Sequence, residues 1–183
     1  MQLQRIIRFI IITMAICFVV SCDDDEKDYN NLYDEIEKME IKQAVLLANM
    51  WKYEYPEVTS FVDTKELNIS FPNGRNLKIL LPENEIYVAI APYETYTHDC
   101  RVHYISSCEA ELTESEFFIK LLRDDGTIFR EQEIYSLKNG FVELWLPKNE
   151  EFDVEINYKD KSCEFVLMTY ETSRTCITDA KLD

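Results

Sequence analysis

The sequence predicts a mainly β protein: an antiparallel β-sandwich preceded by one N-terminal amphipathic α-helix. Three observations support this prediction. Apolar and polar residues alternate in short runs after residue 56. Asn-Gly and Asp-Gly pairs separate several of these runs, and such pairs are typical of hairpin turns. No helical pattern lies between the runs, so the strands are expected to pair with their sequence neighbours.

The N-terminus predicts a lipoprotein signal peptide over residues 1–21. Arg5 and Arg8 precede the apolar run FIIITMAICFVV, and the small residue Ser21 precedes Cys22. The short apolar core and the cleavage position distinguish this segment from a membrane-spanning helix. Cleavage would leave Cys22 as the lipidated residue, and more than one acyl chain gives stable anchoring. We therefore expect a membrane-anchored lipoprotein on the periplasmic side or exported to the outer cell surface.

An acidic tether is predicted over residues 22–30, because Asp23, Asp24, Asp25 and Glu26 follow the lipidated cysteine directly. The tether is interpreted either as a surface-export signal or as a solvated leash. Removal of the signal peptide takes away two arginines and no acidic residue, so the formal charge moves from -16 to -18. A chain this acidic offers no basic surface for phosphate groups, which excludes nucleic acid as a partner.

An N-terminal helical region is predicted over residues 31–60. Apolar residues recur at helical spacing in LYDEIEKMEIKQAVLLANMW, which predicts a single amphipathic helix over roughly 32–52. Its apolar stripe needs a partner. Packing onto the chain's own core is the common outcome, and a homodimer through Leu46, Leu47 and Met50 is the alternative.

The remaining residues, 61–183, predict a β-rich metal-binding domain. Strands are expected in LNISF, NLKILL, EIYVAIA, EFFIKLLR, TIFREQEIY, FVELWLP, FDVEINY and SCEFVLMTY. The order of strands and turns after residue 115 resembles the transthyretin-like or Ig-like sandwiches of secreted proteins. That fold carries many functions and so names none. The acidic pair Glu109 and Glu111 is interpreted as a solvated strand face.

Four cysteines remain after the signal peptide and the lipidated residue are set aside: Cys100, Cys108, Cys163 and Cys176. An even number of cysteines in an oxidising compartment favours two disulfides. A pairing of Cys163 with Cys176 would remove one candidate metal ligand, whereas an inert buried Cys163 would not.

The two histidines argue for a metal site instead. His98 and His103 are the only histidines of the chain, and they flank Cys100 in the pattern HDCxxHxxxxC, which ends at Cys108. Thiolates together with imidazoles select Cu(I) or Zn(II) over hard cations. Zinc would need four ligands, and Cys176 could complete such a set. The spacing alone does not choose between copper and zinc.

The chain resembles the CueP family of periplasmic copper-binding proteins from ELNISF to the C-terminus. The resemblance is carried, in this order, by VAIAPYETYTHDC, the CxxHxxxxC pattern running into CEAEL, GFVELWLP, and the terminal TCITDAKL. It implies copper binding by Cys100, Cys108 and Cys176, with roles in copper resistance, in reduction of Cu(II) to Cu(I), and in delivery to a periplasmic copper enzyme. His98 and His103 are then candidate ligands, or groups that lower a thiol pKa.

Thiol-driven reduction of Cu(II) would be stoichiometric, because an outside reductant is needed to restore the thiols. We therefore expect no enzyme with turnover. The competing hypothesis is a disulfide-tied sandwich that serves adhesion or assembly at the cell surface, and a zinc-binding protein using the same cluster is a further alternative.

Overall fold

The computed structural model describes residues 28–183; the predicted signal peptide, Cys22 and most of the acidic tether lie outside the described residues. The helices are α1 (Tyr29–Ile36) and α2 (Ile41–Glu54). The strands are β1 (Thr59–Val62), β2 (Glu66–Ser70), β3 (Asn76–Leu80), β4 (Glu85–Ile90), β5 (Glu116–Arg123), β6 (Ile128–Tyr135), β7 (Val142–Pro147), β8 (Glu151–Tyr158), β9 (Lys161–Met168) and β10 (Cys176–Ile177). In this part of the chain, neither helix is long and apolar enough to cross a membrane.

The predicted single helix over 32–52 is wrong, because the segment forms two helices. Asp28 caps the start of α1 by accepting hydrogen bonds from the backbone amides of Asn30 and Asn31. The break follows Ile36, and α2 begins after Glu40, whose backbone is extended. In one continuous helix Ile36 and Ile41 would point about 140° apart. The break lets both side chains enter the same core, where they are 0% and 8% exposed.

The predicted mainly β architecture with antiparallel hairpins is confirmed. The strands form three sheets, with the orders β1-β2-β3, β10-β4-β7 and β6-β5-β8-β9. Two strands were not predicted from the sequence: β1 and the two-residue β10. β10 runs parallel to β4, with Cys176 opposite Ala89, whereas the other strand pairs are antiparallel. The transthyretin-like or Ig-like type of the sandwich stays a prediction.

The sheet of β10, β4 and β7 is central, because both of its faces are buried. On one face Tyr87 and Ala89 join a cluster with the helices and with β1–β3. On the other face Ile86, Val88 and Ile90 join a cluster with the four-stranded sheet. Each fully buried large apolar side chain contributes about 1.5–3 kcal/mol to stability. The helices and the other two sheets are therefore held around this central sheet. The domain division at residue 60 stays a prediction.

Two of the three apolar residues that suggested a homodimer face solvent. Leu46 and Met50 on α2 are 57% and 54% exposed, whereas Leu47 is half-buried and packs against the core cluster. The homodimer stays a prediction.

Gly140 should be irreplaceable for two separable reasons. Its φ is +83°, and a Cβ there would lie 2.6 Å from the backbone oxygen of Ala110. Gly74 has nearly the same φ, +84°, but nothing lies within 4 Å of an added Cβ. We expect Gly74→Ala to cost about 1–2 kcal/mol from backbone strain alone. Gly140→Ala should cost about 1–3 kcal/mol more, because the backbone must also move. Urea unfolding of both variants measures this, and equal losses would contradict it.

Candidate metal centre

Four predicted ligands converge at one point. His98, Cys100 and Cys108 lie on the long loop between β4 and β5, and Cys176 is the first residue of β10. One ligand atom from each of these residues lies within 4.8 Å of the corresponding atoms of the others. The sulfur atoms of Cys100 and Cys108 are 3.6 Å apart. Cys176 is buried, and the other two cysteines are half-buried.

The parallel pairing of β10 with β4 brings Cys176 to the loop. The amide of Ala89 donates to the Thr175 carbonyl at 2.8 Å, and the amide of Ala91 donates to the Ile177 carbonyl at 2.8 Å. These two bonds fix the backbone on both sides of Cys176. Because the loop also starts at the end of β4, one strand positions both parts of the centre.

Thr175 joins three segments around the centre, although nothing in the sequence distinguished it. Its hydroxyl donates to the Val62 carbonyl at 2.6 Å and accepts from the His103 amide at 3.1 Å. Its amide donates to the Arg101 carbonyl at 3.1 Å. A buried hydroxyl with both functions satisfied holds the end of β1, the loop and β10 in one arrangement.

The two histidines occupy different positions. His98 belongs to the convergent group, and its Nε2 is buried without a hydrogen-bond partner. His103 does not belong to that group. Its ring is 0% exposed, packs 4.4 Å from the Phe141 ring and leaves both nitrogens without a partner. Unpaired buried polar atoms are costly, so the cluster favours a ligand that would use them.

The three sulfurs of the cluster have different surroundings. Hydrogen bonding from Cys176 lowers the pKa of the Cys108 thiol far below its usual value, and His103 and His98 lower it further. Burial raises the pKa of Cys100 to about 11. The pKa of Cys176 is raised, because its thiol proton is held by the hydrogen bond to Cys108 and by burial. Cys108 is therefore the sulfur most readily deprotonated.

The donor set fits a soft metal ion. Two sulfurs bound to one tetrahedral ion at about 2.3 Å lie about 3.8 Å apart, close to the 3.6 Å between Cys100 and Cys108. An ion bound by all three sulfurs would displace any thiol protons that they carry, so binding would be coupled to proton release. The geometry accommodates Cu(I) and Zn(II) alike.

Cys163 lies apart from this centre. It is on β9, opposite Ile156 of β8, and packs against the cluster of the four-stranded sheet. Burial raises its pKa to about 11. All four cysteines of the described residues are free.

The amino-acid sequence matches a known protein family. A family model described as the periplasmic copper-binding protein CueP matches residues 46–181. The chain belongs to the CueP family. The matched range contains all four convergent ligands and begins within α2.

A solved CueP structure has the same fold. The crystal structure of S.CueP superposes with a TM-score of 0.76 at 26% sequence identity. The alignment covers 85% of this chain and 98% of the S.CueP chain. No curated protein matches this CueP-family chain.

Glu111 holds the loop segment that leads to His98. The prediction that Glu111 belongs to a solvated strand face is wrong, because the residue lies outside the strands and its carboxylate binds backbone amides. One carboxylate oxygen accepts hydrogen bonds from the amides of Glu94, Thr95 and Tyr96, at 2.8, 2.9 and 3.3 Å. Desolvation acts to raise the pKa of Glu111, but these amide hydrogen bonds outweigh it, so the pKa lies below its ordinary value.

The Glu111 contact predicts a pH-dependent stabilisation. Since the folded-state pKa is depressed, the contribution is present above the unfolded pKa and is lost as pH falls through the folded pKa. We expect Glu111→Ala to lower the melting temperature at pH 7, and the difference from wild type to shrink near pH 3, below the usual value of about 4.3. Glu131→Ala, on the exposed part of β6, is the matched control. A Glu111→Ala deficit that is independent of pH would contradict the explanation.

Proposed function

We propose that the protein binds copper outside the cytoplasm, through Cys100, Cys108, Cys176 and His98. The observation that carries this proposal is the convergence of these four ligand atoms within 4.8 Å. Membership of a family described as periplasmic copper-binding proteins supports copper as the ion. In this role the protein sequesters copper and contributes to copper resistance.

Cu(I) is the proposed bound form. Thiolates are soft ligands that stabilise the reduced ion, and Cu(I) needs only two or three of them. The imidazole of His98 can then bind the ion as a further ligand or stay unbound. Zinc is the alternative, because three cysteines and one histidine are also a common zinc set.

His103 is proposed to act on Cys108 from the buried side of the centre. It contributes to lowering the pKa of that thiol, and its unpaired nitrogens remain available to the cluster. Direct ligation by His103 would require the ring to move toward the other four ligand atoms.

We also propose that the cluster reduces Cu(II). Two thiolates that form one disulfide release two electrons, so two Cu(II) ions become two Cu(I) ions. Cys100 and Cys108 are the proposed pair, because their sulfurs are 3.6 Å apart. The sulfurs must approach from 3.6 Å to the disulfide distance of about 2.05 Å. Any thiol proton of the pair is released to water. The reaction is stoichiometric, since Cu(II) is the only oxidant and the thiols are consumed, and the oxidised cluster keeps Cys176 as its one remaining sulfur ligand.

The protein is proposed to act as a lipoprotein anchored through Cys22, either facing the periplasm or exported to the surface. A periplasmic position would allow transfer of copper to a copper enzyme, whereas surface exposure would favour scavenging. Cys22→Ser should move the protein from the membrane to the soluble fraction, and retention in the membrane would refute the anchor.

The copper site is tested by Cu(I) competition titration of the reduced full-length protein in detergent, with zinc in parallel. We expect tight one-to-one Cu(I) binding that zinc does not match. Cys108→Ser and Cys176→Ser should abolish it, because each removes one of the three sulfurs. Cys163→Ser, outside the centre, is the matched control and should bind as wild type. Failure of the reduced wild-type protein to bind Cu(I) would favour the disulfide-tied surface protein.

Reduction is tested by adding Cu(II) anaerobically to the reduced, metal-free protein. A chromogenic Cu(I) chelator should report two Cu(I) ions for each disulfide found by thiol titration and peptide mass spectrometry. The disulfide should join Cys100 to Cys108. Cu(II) bound without loss of thiols would contradict the reduction and leave copper binding itself intact.

A further inference from the structure

Lys52 occupies an unusual position for a lysine. It lies in the last turn of α2 and is only 8% exposed. Lysine is almost never buried unless its charge is paired, because removing an ammonium group from water is costly. A cation near the C-terminus of a helix is favourable, but a solvent-exposed lysine would serve that purpose equally well.

The ammonium group of Lys52 contacts the backbone of one candidate ligand. Its Nζ donates to the backbone carbonyl of Cys108 at 2.5 Å and lies 3.5 Å from a carboxylate oxygen of Glu109. The Glu109 side chain is 72% exposed, whereas the Lys52 side chain is 5% exposed. The Cys108 carbonyl is therefore the buried partner, and the carboxylate contact is at the surface.

This contact completes the backbone constraint on Cys108. The amide of Cys108 donates to the Tyr104 carbonyl at 2.8 Å, and the amide of Ala110 donates to the Asn139 carbonyl at 2.8 Å. Lys52 holds the intervening carbonyl. With both peptide groups of Cys108 fixed, its Cα–Cβ bond can point in only one direction, toward the other sulfurs.

The charge of Lys52 matches what the loaded centre would carry. Three thiolates around one Cu(I) ion have a net charge of -2, in a chain whose formal charge is already -16. A cation held at the backbone of one ligand would offset part of this charge.

We propose that Lys52 is a positioning residue for copper binding: from α2 it holds the Cys108 backbone and supplies positive charge beside the thiolate cluster. This inference rests on the proposed function and extends it to the N-terminal helix. Groups that orient a metal ligand without touching the metal commonly change affinity by about 10-fold to 100-fold.

The test compares three variants of the full-length protein in detergent. Lys52→Met keeps the length of the side chain but removes the donor and the charge. Lys52→Arg keeps both. Lys42→Met is the matched control, since Lys42 lies on the same helix with a side chain that is 49% exposed and pairs with Glu85. The measurements are Cu(I) affinity by competition, the ultraviolet thiolate-to-Cu(I) absorption, and the melting temperature.

We expect Lys52→Met to bind Cu(I) about 10-fold to 100-fold more weakly, with an altered absorption band. The melting temperature should fall modestly, because the Cys108 carbonyl loses its donor. Lys52→Arg should retain most of the affinity, and Lys42→Met should equal wild type. Wild-type affinity in Lys52→Met would overturn the proposal. So would an equal loss in Lys52→Arg, which keeps the cation and the donors.

A readout without metal separates this proposal from the proposed function. In the reduced, metal-free protein, Lys52→Met should change the rate at which iodoacetamide alkylates Cys108 and leave the rate at Cys163 unchanged. If wild type does not bind Cu(I) but this rate changes, copper binding fails and the positioning role stands. If wild type binds Cu(I) and both the affinity and the rate are unchanged in Lys52→Met, the positioning role fails alone.

Discussion

The pairing of a two-residue strand with the central sheet is the constraint on which the metal centre depends. Cys176 lies far along the chain from Cys100 and Cys108, and the backbone bonds of Ala89 and Ala91 to the residues beside it bring it back. Backbone pairing of this kind is short and regular, so it places a side chain more precisely than a free tail could. Without it the loop would offer two sulfurs and one imidazole, and the third sulfur would be missing.

The centre lies where three structural units meet. The loop after β4 carries three ligands, the C-terminal segment carries the fourth, and α2 reaches the Cys108 backbone through Lys52. Thr175 ties the loop and the C-terminal segment to the end of β1. At this junction Cys100 and Cys108 are half-buried, and Cys176 is buried.

Electrostatics give the three sulfurs unequal roles before any metal arrives. The pKa of the Cys108 thiol is lowered, because a thiol proton from Cys176 and two imidazoles stabilise its charge. Burial raises the pKa of Cys100, and the hydrogen bond to Cys108 raises that of Cys176. Cys108 is therefore the sulfur most readily converted to the thiolate, which is the form that binds metal ions.

The sequence by itself determined the β-rich class and most of the hairpins, and it predicted His98, Cys100 and Cys108 as candidate ligands, because alternation, Asn-Gly turns and the HDCxxHxxxxC pattern are local signals. It did not separate α1 from α2, since apolar spacing continues through the break and only the core decides which direction Ile36 and Ile41 must face. The tertiary structure alone distinguished His98, which joins the sulfurs, from His103, which lies buried beside Phe141. The roles of Thr175, Glu111 and Lys52 were equally invisible, because each depends on contacts with backbone groups distant in sequence. Ligand types can be recognised from local pattern, whereas their arrangement around one point is set by long-range pairing.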